Sequence, residues 1–282
     1  MGDELRRILR GELEGTRRLV EGAGRGHSAR RRDEAVHGAR KSLKRTRAVL
    51  RLMRDGLGRA AYRRLNLAMR DAARPLSEVR DAKVFVAACA ALRASDARPA
   101  TATALGRIER RLRANLRAVS ERVLGDEELF STVAAAVVAL RAQVQGRHPR
   151  GGRAALERGL ERTYGRVRRA YRVARERSSR RRLHEWRKQA KYFLYQLQIL
   201  EPAWGAPERT LVGRLAHLTE LLGRDHDLAG LRVQVKQRGV RRLIDHRRTA
   251  LQRQALAVGR EVFGPRPAAR VRARLHRLAS RW

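Results

Sequence analysis

The chain has 282 residues, of which 67 are Lys or Arg and 28 are Asp or Glu, so its formal net charge is +39. A surplus of this size favours polyanionic partners, and a hydrophobic fraction of 43% is enough for a folded core rather than a disordered chain. The single cysteine, Cys89, excludes an internal disulfide and a cysteine-based zinc site, and it is compatible with a reducing cytoplasm.

Neither a secretory signal nor a membrane span is predicted. The first ten residues contain acidic side chains and no apolar core. The longest apolar run, Val133–Leu140, is far shorter than the roughly 20 residues that a membrane helix needs. We therefore expect a cytoplasmic protein without a membrane partner.

Nearly every segment predicts an amphipathic helix, because apolar residues recur at three- and four-residue spacing among Ala, Leu and Arg. Glycines and prolines mark the predicted helix ends. In chain order, these breaks fall at Gly56 and Gly58, Pro75, Pro99, Gly125–Asp126, His148–Gly152, Pro202–Pro207, Gly223, Gly239 and Gly264–Pro267. They predict roughly a dozen helices, about six on each side of the Gly146–Gly152 break.

The same basic signature, H-x-x-R-K-x-x-K, opens two of the predicted helices. Its first copy is His37, Arg40, Lys41 and Lys44, and its second copy is His184, Arg187, Lys188 and Lys191. The copies lie 147 residues apart, which is more than half the chain. A repeat of this length predicts two similar halves of one fold rather than a solenoid of short units.

On a helix of about 100° per residue, each signature separates a buried face from a cationic face. The apolar stripes are Val36, Ala39, Leu43, Leu50 and Met53 in the first copy and Leu183, Trp186, Ala190, Phe193, Leu197 and Leu200 in the second. The basic residues project roughly 120° away from them. A line of cationic donors suits a long, repeating anion better than a single small one.

A second motif follows each signature in nearly the same register, as L-S-E-V-R-D at Leu76–Asp81 and L-G-R-D-H-D at Leu222–Asp227. Together, the duplicated motifs resemble the CHAD family, the histidine-containing α-helical domain, over almost the whole chain. The resemblance implies an all-α fold of two pseudo-twofold-related helical bundle halves with a basic central groove or pore. We interpret residues 1–282 as a single such domain, with halves of about 1–147 and 148–282.

The resemblance also implies that basic residues of both halves bind inorganic polyphosphate. It assigns this role to His37, Arg40, Lys41, Lys44, Arg45, Arg80, His184, Arg187, Lys188, Lys191 and His226, and our candidate set also contains Arg47, Arg51 and Arg224. The halves differ: Tyr192 stands opposite Arg45, Ser77 opposite Gly223, and His226 opposite Arg80. We therefore expect them to contribute unequally.

Other charged residues have simpler interpretations. The histidines are expected to be neutral hydrogen-bond donors, because neighbouring cations oppose their protonation. Asp81 and Asp227 are expected to hold neighbouring cations in place, and arginine runs such as Arg180–Arg182 are interpreted as solvated surface. No nucleophile accompanies the signature and no histidine pair has metal-binding spacing, so no catalytic residue, metal or cofactor is predicted.

The sequence thus predicts a non-enzymatic polyphosphate-binding protein, which the resemblance associates with polyphosphate granules. The alternative is a basic protein that binds nucleic acid non-specifically at low salt, although an aromatic content of 4% argues against a base-stacking platform. An enzyme acting on phosphoanhydrides is less favoured, because the sequence has no P-loop or carboxylate cluster. Leftover apolar faces leave a homodimer open.

Overall fold

The structure is a computed structural model that describes residues 2–24, 28–95, 98–146 and 151–282. The first half contains α1 (Gly2–Gly24), α2 (Ala29–Leu52), α3 (Arg54–Leu57), α4 (Arg59–Ala73), α5 (Ser77–Ser95), α6 (Pro99–Leu124) and α7 (Glu127–Gln145). The second half contains α8 (Gly152–Glu176), α9 (Arg180–Ile199), a 3-10 turn (Glu201–Ala203), α10 (Ala206–Gln234), α11 (Arg238–Phe263) and α12 (Pro265–Arg281). The described residues include no strand, and the predicted all-α fold is confirmed.

The contacts between helices repeat from one half to the other. In the first half, α1 packs against α2 and α7, and α5 packs against α6. In the second half, α8 packs against α9 and α12, and α10 packs against α11. Thus α8, α9, α11 and α12 correspond to α1, α2, α6 and α7, while α10 corresponds to α4 and α5 together. This repetition confirms the two bundle halves related by a pseudo-twofold axis.

Helices that touch their own equivalents mark the position of the axis, because only elements next to a twofold axis meet their symmetry mates. Across the halves, α2 packs against α9 and α5 packs against α10. The helices that carry the two duplicated motifs therefore meet at the centre of the fold.

The apolar stripes predicted on α2 and α9 are buried. Every residue of both stripes has an exposed fraction of 3% or less. In the second half, Trp186 and Phe193 pack with Tyr164, Tyr171 and Phe263, with ring centroids between 5.3 and 6.0 Å apart. Burial of these faces fixes the rotation of both helices, so their basic faces must turn toward the axis and the solvent.

Most predicted breaks coincide with helix ends. Pro75 separates α4 from α5, because proline lacks a backbone N–H and clashes with the preceding turn. Pro99 occupies the first turn of α6, where proline is favoured. Asp126 caps α7 by accepting a hydrogen bond from the backbone N–H of Leu129 at 2.8 Å.

The predicted break at Gly223 is wrong, because α10 runs through this residue without interruption. A glycine inside a helix costs about 1 kcal/mol relative to alanine, but its neighbours Leu221 and Leu222 are buried and stabilise the helix by packing. As a result, the described residues form seven helices in the first half and five in the second rather than six in each.

The predicted boundary between the halves lies outside the described residues. It falls at residues 147 and 148, and the break at His148–Arg150 lies in the same gap. The preceding helix ends at Gln145 and the next begins at Gly152. The division at this point, like the single domain of residues 1–282, stays a prediction.

Gly159 allows α8 to approach the backbone of α2. A Cβ atom at this position would lie 2.8 Å from the carbonyl oxygen of Leu52 and 3.1 Å from its Cα. Backbone atoms cannot rotate away, so we expect Gly159→Ala to push the halves apart and lower the Tm by a few degrees, although alanine favours helices. Gly165→Ala, on the same helix with no atom within 4 Å of the added Cβ, is the control and should raise the Tm. Thermal melts followed by circular dichroism would contradict the close approach if both variants were stabilised.

Candidate anion-binding site

Cations from three helices converge at the axis. Arg40 and Lys44 come from α2, Arg187 and Lys191 from α9, and Arg80 from α5. The other four cations are all close enough to Lys44 to lower its pKa. We refer to these five residues as the axial cluster. The fold therefore brings together cations from both copies of the signature, which are far apart in sequence.

Burial, together with the other cations of the axial cluster, lowers the pKa of Lys44 to about 8. Loss of hydration is the largest cause, followed by the positive charges of Arg40 and Arg187. Lys44 is nevertheless exposed, so it lies in an open recess rather than in the sealed core. Burial is also the largest cause of the lowered pKa values of Arg40, Arg187 and Lys191. The protein thus holds these charges together at an energetic cost.

Three carboxylates approach the axial cluster and offset only part of its charge: Asp81, Asp227 and Glu220, the last of which favours the charged form of Lys191. Asp81 on α5 favours the charged forms of Arg40 and Arg187. Asp227 on α10 also favours charged Arg187, and burial raises the pKa of Asp227 despite the nearby Arg187 and Arg80. These contacts agree with the expected supporting role of the two aspartates. An anion bound at the axial cluster would improve its charge balance.

His184 and His226 stack beside Arg187. Their ring centroids lie 4.7 Å apart, and their Nδ1 atoms are separated by 3.4 Å. Burial, followed by the charge of Arg187, lowers the pKa of His184 and lowers that of His226 to about 4. Both rings are therefore neutral at pH 7, in agreement with the expectation from the sequence.

A cavity of about 680 Å³ opens beside the first-half side of the axial cluster. Its lining includes His37 of α2 and both apolar and charged side chains. The charged ones are Arg80, Lys83, Arg224 and Arg247 together with Asp33, Glu34 and Asp227. Burial, followed by the charge of Arg80, lowers the pKa of His37. The predicted residues His37 and Arg224 thus line this cavity, and Arg80 connects it to the cluster.

Lys41 and Lys188 occupy exposed positions on the two signature helices. Lys41 is close enough to Lys191 to lower its pKa, and it therefore flanks the axial cluster. Lys188 forms an ion pair with Glu185, one turn earlier on the same helix. The two equivalent lysines thus have different surroundings.

Arg45 and Arg47 contact neighbouring helices of the first half. Arg45 donates from Nε to Glu12 of α1 at 2.6 Å. Arg47 donates from Nε to Asn66 of α4 at 3.2 Å. The structure thus engages these two predicted residues in packing α1 and α4 around α2.

Arg180 and Tyr192 contribute to the site, although the sequence analysis left both out. Arg180 lies one turn before His184, and its charge lowers the pKa values of His184 and His226. Residues four apart share a helix face, so this signal was present, but Arg180 belongs to a run that we interpreted as solvated surface. Tyr192 lies under the predicted Arg51, whose Cζ is 3.9 Å from the ring centroid. This stacking depends on how α9 packs against α2.

The described ranges contain neither a metal-binding group nor a membrane-spanning helix. In this part of the chain, no group of three or more His, Cys, Asp and Glu side chains is placed to hold a metal ion. None of its helices combines the length and the apolar character needed to cross a membrane. Cys89 is buried, and burial raises the pKa of its thiol to about 11.

Lys44 is expected to destabilise the protein when no anion is bound. Its pKa of about 8 in the folded state lies below the unperturbed value of 10.5, so between these values the unfolded chain binds more protons than the folded chain. The free energy of unfolding from this group therefore rises between pH 8 and pH 10.5 and is lowest below pH 8. We expect Lys44→Met to raise the Tm at pH 7. We also expect the Tm of this variant to increase less between pH 8 and pH 10.5 than the Tm of the wild type.

The control is Lys236→Met, which removes the same charge from an exposed position outside the axial cluster. Thermal melts of the two variants and the wild type at several pH values measure the difference. Equal stabilisation by both variants would show that net charge, rather than the recess around Lys44, is responsible.

Comparisons with known proteins place the chain in a family. A model of the CHAD domain matches residues 10–235. PptA from Streptomyces chartreusis is 16% identical with a TM-score of 0.61, over 93% of this chain and 97% of that chain. The CHAD domain from the plant Ricinus communis is 19% identical with a TM-score of 0.56, over 98% of this chain and 91% of that chain. At these identities, both structures support the fold alone, and the comparison with curated proteins gave no match. Because the family match spans most of the sequence, the chain belongs to the CHAD domain family.

Proposed function

We propose that the protein binds inorganic polyphosphate at the axial cluster and releases it unchanged. The observation that carries this proposal is the convergence of five cations from both halves against three nearby carboxylates, Asp81, Asp227 and Glu220. Folding has already removed part of the water around these cations, so a bound polyanion replaces lost hydration and relieves their repulsion. Membership of the CHAD family, which the sequence resemblance links to polyphosphate, supports the same ligand.

A chain of phosphates fits this arrangement better than a single phosphate. Arg40 and Lys44 are four residues apart, as are Arg187 and Lys191, which places the members of each pair about 6 Å apart along their helix. A long anion can contact both helices and several cations at once. Each charge-assisted hydrogen bond contributes about 1.5–3 kcal/mol, so a few shared contacts suffice for tight binding.

The pair of His184 and His226 adds a hydrogen-bond donor to the axial cluster without adding charge. If one ring donates its Nδ1–H to the Nδ1 of the other, the accepting ring carries its own proton on Nε2. That Nε2–H is a donor for a phosphate oxygen. We therefore assign the accepting ring to phosphate contact, and the donating ring, whose Nε2 carries no proton, to holding its partner in that tautomer. Neither ring is assigned to proton abstraction, and the proposal contains no bond-breaking step.

The proposed setting is the cytoplasm, with polyphosphate granules as the destination of the bound protein. A protein that holds polyphosphate without cleaving it can attach to a granule through chains on the granule surface. The homodimer stays a prediction, and polyphosphate binding at the axial cluster does not depend on it.

Non-specific nucleic-acid binding is the alternative function, and the net charge of +39 supports it at low salt. Duplex DNA is broad and stiff, whereas four of the cluster's cations lie in surroundings that lower their pKa values mainly through burial. We therefore expect DNA to contact the exposed arginines elsewhere and to compete poorly for the recess.

The triple variant Lys44→Gln, Arg187→Gln and Lys191→Gln is expected to weaken binding of long-chain polyphosphate by about 100-fold or more, since three charged contacts are lost. Isothermal titration calorimetry at about 0.15 M salt measures the Kd, with duplex DNA and pyrophosphate as competitors. The wild-type protein should retain polyphosphate in the presence of either competitor.

The matched control replaces three exposed cations outside the axial cluster, Arg209, Lys236 and Arg253, with glutamine. It removes the same charge and should change the Kd only a few-fold. Equal losses in both triple variants, or ready displacement by DNA, would favour the nucleic-acid alternative. Gel analysis of the polyphosphate recovered after incubation with Mg²⁺ tests the non-enzymatic part of the proposal, which shortened chains would refute.

Polyphosphate affinity is expected to rise as the pH falls below neutrality. A bound polyanion favours the charged imidazole, so it raises the pKa of His226 above its value of about 4 in the free protein. Between those two pKa values binding takes up a proton, and the affinity increases until the pH passes the lower one. Measured Kd values from pH 7.5 to 5.5 should show this rise, and His226→Asn should reduce its slope. An unchanged slope in the variant would assign the proton to another group.

A further inference from the structure

Arg40 is fixed to the junction between α4 and α5. Its Nη1 donates to the hydroxyl of Ser77 and, at 3.2 Å, to the carbonyl oxygen of Ala73. Both acceptors result from the break at Pro75: Ala73 ends α4, where helix carbonyls lose their backbone partners, and Ser77 begins α5. Arg40 therefore has two protein acceptors before any anion binds.

Arg187, its equivalent on α9, has different neighbours because α10 is continuous. Thr219 and Gly223 stand 146 residues after Ala73 and Ser77, and both lie inside α10. The carbonyl of Thr219 is thus within a helix, and Gly223 offers no hydroxyl. Within the described part of the chain, the buried Nε of Arg187 has no hydrogen-bond partner.

This difference changes what each arginine gains from an anion. To contact a phosphate fully, Arg40 has to weaken bonds that it already makes at the junction. The Nε of Arg187 is already buried without an acceptor, so a phosphate oxygen supplies a bond that the protein does not. The net gain on binding is therefore larger for Arg187.

We infer that Gly223 makes Arg187 the primary phosphate-binding arginine of the axial cluster, and that Ser77 makes Arg40 a positioning residue for the α4–α5 junction. The inference rests on the proposed binding of polyphosphate. Under this inference, the second half binds the phosphate chain more tightly than the first, and the difference originates in one pair of equivalent residues, Ser77 and Gly223.

The decisive variant is Gly223→Ser, compared with Gly223→Ala. Among the described residues outside its own helix, the nearest atom to a Cβ built at Gly223 is Nε of Arg187, at 3.8 Å, which is ordinary van der Waals contact. Serine therefore fits and places a hydroxyl acceptor beside the guanidinium, whereas alanine adds the same Cβ without an acceptor. We expect serine to weaken polyphosphate binding roughly fivefold or more relative to alanine. Equal Kd values for the two variants would overturn the inference.

A second comparison, Arg40→Met against Arg187→Met, includes a measurement without ligand. Loss of the junction bonds should lower the Tm in Arg40→Met, whereas removing a buried cation without an acceptor should maintain or raise it in Arg187→Met. With polyphosphate, Arg187→Met should lose at least about tenfold more affinity than Arg40→Met.

The outcomes separate the two proposals. A wild-type protein that does not bind polyphosphate refutes the proposed function and, with it, the phosphate contact of Arg187. A wild-type protein that binds, with equal affinity losses in Arg40→Met and Arg187→Met, refutes only the inference. A Tm that falls equally in both variants shows that protein contacts hold Arg187 as firmly as Arg40, and it overturns the difference between the two arginines on which the inference rests.

Discussion

The packing of α2 against α9 at the axis determines both the architecture and the site. Each helix buries one apolar stripe in its own half, and burial of a large apolar side chain such as Leu43 or Phe193 contributes about 1.5–3 kcal/mol relative to exposure. This fixed orientation leaves the neighbouring faces to bring Lys44 and Arg187 together. The core therefore supplies the free energy that holds like charges in one recess. A protein arranged in this way is less stable than its packing alone allows, and a bound anion recovers part of the difference.

Charge alone does not distinguish the axial cluster, because most of the chain is rich in arginine. Elsewhere, arginines are commonly paired: Arg17 contacts Glu14 and Glu21 on its own helix, and Arg93 and Arg113 both contact the buried Glu109. The cluster differs because its cations face one another more than they face carboxylates. Local pairing keeps the rest of the surface from competing equally for an anion, and the unpaired recess is where a polyanion gains most.

Periodicity and duplication were sufficient to predict the helical class and the two halves, because these follow from which residues must be buried. The convergence of the signature cations in a central groove was implied by the family resemblance. Contacts between helices were not predictable in the same way. Arg45 continues the basic run of the first signature, yet it contacts Glu12, and nothing in the local sequence specifies that α1 lies there. Gly223 has the local character of a break, but the packing of Leu222 decides otherwise. The local sequence thus predicted which helix faces are buried and which are basic. Tertiary packing determined which of the basic residues contact other helices and which remain at the axis.

Because the two halves have diverged, the two sides of the central site differ in charge. On the first-half side, Arg80 keeps a permanent positive charge beside His37, whereas the equivalent position on the second-half side carries His226, stacked on His184 and neutral at pH 7. The titrating pair thus adjoins Arg187, whose buried Nε has no hydrogen-bond partner among the described residues. One end of a bound polyphosphate chain would contact the constant positive charge of Arg80. The other end would contact His184 and His226, whose protonation the bound anion itself favours. A duplicated unit has become unequal through substitutions at its axis, so the two ends of one chain need not be held in the same way.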